Sequence, residues 1–208
     1  MTRWLGVALL PRADHLRAAI DIQRALGADH GLQPPLTPDG NLPHVTVFQG
    51  PFTDTLDPAR DLGRIGAALS LPAEIHLGFT GIHYQPTGWV FLGLTRPSVL
   101  DKLQEETLAV LTPHLDQAAF DTSKDTSRYT EAERSSYARY GYRYTGEAYA
   151  PHITLGRTDE QAARTIVDTA PTRAEVGADW VFDRLSFYVM GENGAHARIL
   201  AKRPLDAS

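Results

Sequence analysis

Cysteine is absent from the 208 residues. That removes a disulfide framework, a thiol nucleophile and any cysteine-based metal site. Long apolar runs are missing too, and nothing approaches the roughly 20 residues that a membrane-spanning helix needs. The apolar stretch 4–10 is short, has no small-residue cleavage pattern and runs into Arg12 and Asp14. It reads as a strand and not as a signal peptide. Lysine is scarce: Lys102, Lys124 and Lys202 are the lysines among 20 basic residues. The arginine excess suits bidentate phosphate contacts, and it fits coding bias equally well. Positive charge is not in surplus, since the formal net charge is −5. A protein that tracks a long duplex needs a basic surface to neutralise many phosphates, whereas a small nucleotide or an RNA end needs only a few local cations. These absences describe a cytoplasmic protein, expected to be a monomer, with no membrane partner and no long duplex partner.

An apolar content of 42% with 22% charged residues is ordinary for a globular chain of this size. The informative feature is a pair of short stretches, Pro43-His44-Val45-Thr46-Val47-Phe48 and Pro151-His152-Ile153-Thr154-Leu155. In a strand, side chains alternate between faces with a period of two. His and Thr, two apart, therefore share one face, while Val45 and Val47, or Ile153 and Leu155, share the other. Each stretch is expected to be a strand offering an imidazole and a hydroxyl on its open side and apolar residues to a core. Of the eight histidines, these two have Thr at +2 with apolar residues interleaved.

In chain order, strands are expected at 3–10 and 44–48, with Gly50-Pro51 ending the second. A hairpin is expected over 74–84 and 88–94, the second motif strand starts at 152, and Asn193-Gly194 joins a final hairpin over 180–190 and 195–202. Helices are expected at about 11–26, 58–69, from 97, and 159–168. The order contains a repeat. Trp4-Leu5-Gly6-Val7 with Pro11 and a helix is matched by Trp89-Val90-Phe91-Leu92 with Pro97 and a helix, and each is followed by a motif strand, another helix and a strand. Trp4 to His44 is 40 residues and Trp89 to His152 is 63. The surplus falls in segment 116–147, rich in Tyr, Arg and acids and without apolar periodicity. The expectation is an α+β fold: one bilobal domain over 1–208, made of duplicated βαβαβ-type units at about 3–84 and 89–203, with an insert at about 116–147. Two antiparallel-rich sheets flanked by helices would bring the motif strands face to face across a central groove.

The paired motifs resemble the 2H phosphoesterase superfamily, the LigT-like 2′,3′-cyclic phosphodiesterases and 2′-5′ RNA ligases, which are defined by two His-x-Thr-x motifs. The resemblance implies the same bilobal architecture over nearly the whole chain. It also implies His44 and His152 as the proton-transfer residues and Thr46 and Thr154 as phosphate clamps. In LigT-like enzymes the first histidine is commonly the leaving-group acid and the second the base; the direction cannot be read from this sequence. Arg157 resembles the arginine that follows the second motif in several RNA-ligase-like members, and it could equally be a solvated residue at a strand end.

From residue chemistry alone, two facing histidines could be an acid and a base, metal ligands, or polar lining. A metal site usually needs three or more protein ligands, and hydroxyls are poor partners for zinc. Acid–base work suits imidazole, which titrates near neutrality. In-line displacement at phosphorus places entering and leaving oxygens on opposite sides, as two opposed histidines would require. The reading is a phosphodiesterase that needs no metal and no cofactor, hydrolysing a 2′,3′-cyclic phosphate on a small nucleotide or RNA terminus. The alternatives are a 2′-5′ RNA ligase or 2′-5′ phosphodiesterase, and a non-catalytic nucleotide-binding module. Arg143 and Tyr149 are, with Arg157, the expected substrate contacts. Phe48, on the face of His44 and Thr46 by strict alternation, could stack a nucleobase or simply pack. Arg134, Arg139 and Arg143 with Tyr137, Tyr140, Tyr142 and Tyr144 could form a phosphate-binding lid or a self-paired surface loop. His76, His83, His114 and His196 are taken as structural.

Overall fold

A computed structural model describes residues 1–170 and 176–206. Its strands are β1 (Arg3–Pro11), β2 (Val45–Phe52), β3 (Ile75–Tyr84), β4 (Trp89–Leu94), β5 (His152–Arg157), β6 (Asp179–Met190) and β7 (His196–Pro204). Its helices are α1 (Ala13–Gly27), α2 (Pro58–Ala67), α3 (Ser98–Leu111), α4 (Glu131–Tyr140) and α5 (Glu160–Asp168). The class is α+β, and every strand pairing is antiparallel.

The expected two sheets are continuous with one another. The strand order is β1-β2-β5-β4-β3-β6-β7, and β6 also pairs with β1. Strand β6 makes this possible by its length: β1 runs along one edge, while β3 and then β7 share the other. The remaining junction is slight, a single rung between the motif strands at Val45↔Ile153. The helices cover the outer faces, α1 against β1 and β5, α3 against β2, α2 against β6 and β7, and α5 against β3 and β4. One contiguous apolar cluster fills the space between sheet and helices, with Val45, Val47, Ile153 and Leu155 fully buried in it.

Strand β2 continues through Gly50-Pro51, where the sequence suggested a break. Trp4 pairs with Pro51, and the Pro51 carbonyl accepts from Asp116 N on the side away from β1. A strand residue points its N and its C=O the same way, so the N–H that proline lacks would have faced outward and no β1 ladder bond is lost.

Segment 116–147 contains a helix that periodicity did not reveal. Thr130 and Glu133 form a capping box at the start of α4, and Gly141 ends it in the left-handed conformation, φ 67°. The segment also reaches the core: Tyr129 and Tyr142 are buried, and the Ser136 hydroxyl donates to Tyr142 O at 2.7 Å.

Candidate active site

The Val45↔Ile153 rung decides the geometry. Continuing that antiparallel register by one residue each way sets His44 across from Thr154 and Thr46 across from His152. All four side chains line one groove of about 550 Å³.

The two imidazoles are held alike. His44 Nδ1 lies 2.8 Å from Leu42 O, and His152 Nδ1 lies 2.7 Å from Ala150 O. A carbonyl only accepts, so Nδ1 carries the proton in both rings and Nε2 is left for a bound molecule. His44 is buried, with Tyr188 at 5.2 Å and His196 at 5.3 Å between ring centroids. His152 is half-buried between Phe91 at 4.4 Å and Tyr144 at 5.3 Å. Burial pushes both imidazoles down, each to about 4, against the opposing pull of the carbonyl hydrogen bonds. His152 is lowered further by the repulsion that a protonated His44 would exert and by the charge of Arg143. Both rings are thus neutral at neutral pH when the groove holds no anion.

Beside His44 lies a small polar network. Tyr188 OH donates to Gln49 Oε1 at 3.1 Å. His196 stacks on Tyr188 at 4.2 Å and bonds Ser186 Oγ through Nε2 at 2.8 Å.

The remaining sequence candidates divide. Arg157 is exposed and lines the groove, with Nε donating to Thr87 O at 2.8 Å and the guanidinium 5.8 Å from the Trp89 ring. Arg143 also lines it, but its charge is engaged. Nη2 pairs with Glu133 at 2.9 Å, and the guanidinium sits between the rings of Tyr129 and Tyr144 at 4.5 and 4.4 Å. Tyr137, Tyr142 and Tyr144 reach the groove, whereas Arg139 and Tyr140 line a second cavity behind α4. Arg134 donates to Tyr129 O.

Phe48 and Tyr149 do not line the groove. Phe48 is 0% exposed and packs on Phe52, Tyr140 and Tyr142. Tyr149 is buried, and its hydroxyl donates to the backbone O of Thr46 at 3.2 Å. The cause for Phe48 is a bulge. Val7 pairs with Phe48 and Ala8 with Thr46, so Val47 is an extra residue and the alternation changes phase after Thr46. Gln49, on the core side by strict alternation, lines the groove instead. Strand β5 does the same: Val90 pairs with Gly156 and Phe91 with Thr154, leaving Leu155 as the extra residue. Gly156 takes φ 125° there, a conformation that disfavours other residues. That bulge brings Arg157 to the groove. Sequence periodicity could not foresee either shift. Trp4, Gln85, Thr87, Trp89, Phe91 and Asn193 were also missed as lining residues.

Three or more His, Cys, Asp or Glu side chains able to hold a metal ion together do not occur among the described residues. No helix among them is long and apolar enough to cross a membrane.

The family model of the 2′-5′ RNA ligase superfamily matches residues 11–194. The chain belongs to that superfamily. Among solved structures, it is similar to E. coli LigT in its apo form, with TM-score 0.54, 16% identity and coverage of 100% of this chain and 99% of that one. It is similar to TT0787 of Thermus thermophilus, with TM-score 0.54, 17% identity and 98% of each chain covered. The E. coli LigT complex with 3′-AMP gives TM-score 0.53 at 16% identity over the whole of both chains. At such identities these likenesses show a shared fold. No curated protein matches the chain.

Proposed function

We propose that this member of the superfamily is a phosphodiesterase that hydrolyses a 2′,3′-cyclic phosphate on a small nucleotide or RNA end, with His44 and His152 as the proton-transfer pair. The observation that carries this reading is the matched tethering of the two rings. Each Nδ1–H is spent on a carbonyl two residues back, and each Nε2 is left to the same groove, one on either side of the Val45↔Ile153 rung.

The chemistry follows from those positions. A cyclic phosphate anion between the rings stabilises one imidazolium, which the unliganded groove disfavours. With the first motif's histidine as the leaving-group acid, as the family resemblance implies, the proton resides on His44. His152 Nε2 takes a proton from water as the water oxygen bonds to phosphorus. The P–O2′ or P–O3′ bond breaks, and His44 Nε2 gives its proton to the leaving ribose oxygen. The hydroxyls of Thr46 and Thr154, each across from the other motif's histidine, donate to non-bridging oxygens where charge gathers. Arg157, which the β5 bulge carries to the groove, adds a cation for the anionic substrate. Nucleotide binding by this fold supports the substrate class, since E. coli LigT has been crystallised with 3′-AMP and with NADP+.

A second reading, action on a 2′-5′ linkage between two nucleosides, is favoured by the tryptophans Trp4 and Trp89, which both line the groove. The test is a screen of purified protein against 2′,3′-cyclic nucleotides, short RNAs with cyclic ends and 2′-5′ dinucleotides, with products identified by phosphorus NMR. Turnover of a cyclic phosphate supports the first reading. Turnover of 2′-5′ dinucleotides alone selects the second, and no turnover of any overturns both.

A further inference from the structure

Two buried glutamines stand behind the motif strands in matching arrangements. Gln23, on α1, donates through Nε2 to Leu155 O at 2.7 Å and to Pro34 O at 2.9 Å, and its Oε1 accepts from Leu36 N at 2.6 Å. Gln104, on α3, donates through Nε2 to Val47 O at 2.8 Å and to Tyr144 O at 3.0 Å, and its Oε1 accepts from Gly146 N at 2.8 Å. Leu155 and Val47 are the extra residues of the two bulges. In each case the other two bonds go to a carbonyl and to the N–H two residues later in a passing loop. Each amide uses both donors and its acceptor, at 5% and 2% exposure. The arrangement is also crossed. The glutamine on α1, which precedes the first motif strand, holds the second motif strand, and the glutamine on the later helix holds the first.

A bulge leaves its extra residue outside the ladder, with a backbone carbonyl unpaired and the strand free to return to flat pairing. A return would undo the phase change that brings Arg157 and Gln49 to the groove. A buried amide bonded to that carbonyl, and anchored to a second segment, fixes the bulge where it is.

The geometry points to Gln23 and Gln104 as a crossed pair of positioning residues: Gln23 sets Thr154 and Arg157 through the β5 bulge, and Gln104 sets Thr46 and Gln49 through the β2 bulge. Neither glutamine lines the groove, and each acts through its strand. The inference rests on the reading that the groove binds a phosphate anion.

The test is a set of double-mutant cycles in the full chain. Gln23→Met and Gln104→Met are near-isosteric and lose all three hydrogen bonds. Each is combined with Arg157→Ala and with Gln49→Ala, reading kcat/KM on a 2′,3′-cyclic nucleotide, or on a 2′-5′ dinucleotide where only that is turned over, and the Kd of inorganic phosphate. Misplacement of about an ångström loses up to roughly 10²-fold in rate, so each methionine variant is expected to lose on the order of 10- to 100-fold. Same-strand pairs, Gln23 with Arg157 and Gln104 with Gln49, should be little worse than the poorer single variant. Crossed pairs, Gln23 with Gln49 and Gln104 with Arg157, should multiply.

If a methionine variant does not fold, Gln→Glu at the same site replaces it. Its carboxyl keeps the acceptor and regains one donor when protonated, so its activity relative to wild type should recover as pH falls. Multiplicative losses in all four pairs, or a glutamate variant whose relative activity ignores pH, would overturn the proposal. A wild type that binds phosphate without turning over any diester would refute the hydrolase reading while the phosphate Kd still reads the cycles. A wild type that does neither would refute both.

Discussion

At the scale of residues, the tethered histidines and the displaced Phe48 give separate predictions. His44→Ala and His152→Ala should each lower kcat by about 10²–10⁴-fold, the range for a lost general acid or base. The double variant should be little worse than either single, because both serve one proton relay. Near-normal kcat in either would reduce that histidine to groove lining. The ring protonations make a second prediction. Followed by NMR, both histidines should titrate near pH 4 in the free protein, below the ordinary imidazole value, because burial disfavours the charged form. Bound inorganic phosphate should raise the value of at least one ring; two unmoved titrations would exclude an anion between them. Phe48→Ala should destabilise by about 3–5 kcal/mol, as for a phenylalanine removed from a core, and leave KM for the diester nearly unchanged. A large KM effect without loss of stability would restore Phe48 to the binding surface.

At the scale of elements, the two bulges and α4 carry the differences between expectation and structure. Alternation correctly sorts His44 and Thr46 from Val45 and Val47, then fails from Phe48 onward, because Val47 is an extra residue that resets the phase. The register also separates the tryptophans that looked equivalent. Gly6 faces Gln49 where Trp89 faces Arg157, and Trp4 lies two residues farther along β1. A side chain at Gly6 would meet the Tyr188 ring at 2.6 Å, so the space that Trp89 fills on one side is held by Tyr188 on the other. Helix α4 escaped because its apolar content is low, although Thr130, Glu133 and Gly141 mark both of its ends. Gly141→Ala tests how far this segment belongs to the fold. Its φ of 67° and a Cβ only 2.8 Å from the Phe120 ring predict a loss of about 1–3 kcal/mol, read by denaturant unfolding. Unchanged stability would make α4 a detachable lid.

At the scale of the whole molecule, the buried histidines link stability to pH. His44, His152 and His196 bind protons less readily folded than unfolded, since burial pushes the first two to about 4 and His196 to about 3. Their neutral forms are favoured by folding, so stability should be full above about pH 6.5, the unfolded imidazole value, and fall as pH drops toward 4 and 3. Thermal unfolding between pH 4 and 8 reads this directly. A stability that rose on acidification would contradict the burial of these rings. Activity is expected to persist after thorough chelation if proton transfer suffices. Loss with EDTA that zinc or manganese restores would move the histidines to ligand roles.

The motif residues and the strand period were enough to name His44, Thr46, His152 and Thr154 and to place them on one face of two strands, because local alternation is a property of the chain itself. Capping chemistry at Thr130, Glu133 and Gly141 was present in the sequence as well, unused. Only the tertiary structure decided that the two strands meet at a single rung, that His44 lies across from Thr154, and that Arg157 and Gln49 reach the groove while Phe48 does not. Those outcomes depend on long-range pairing, on bulges fixed by Gln23 and Gln104 from distant helices, and on burial that moves the imidazole equilibria. None of these is encoded within the few residues of a motif.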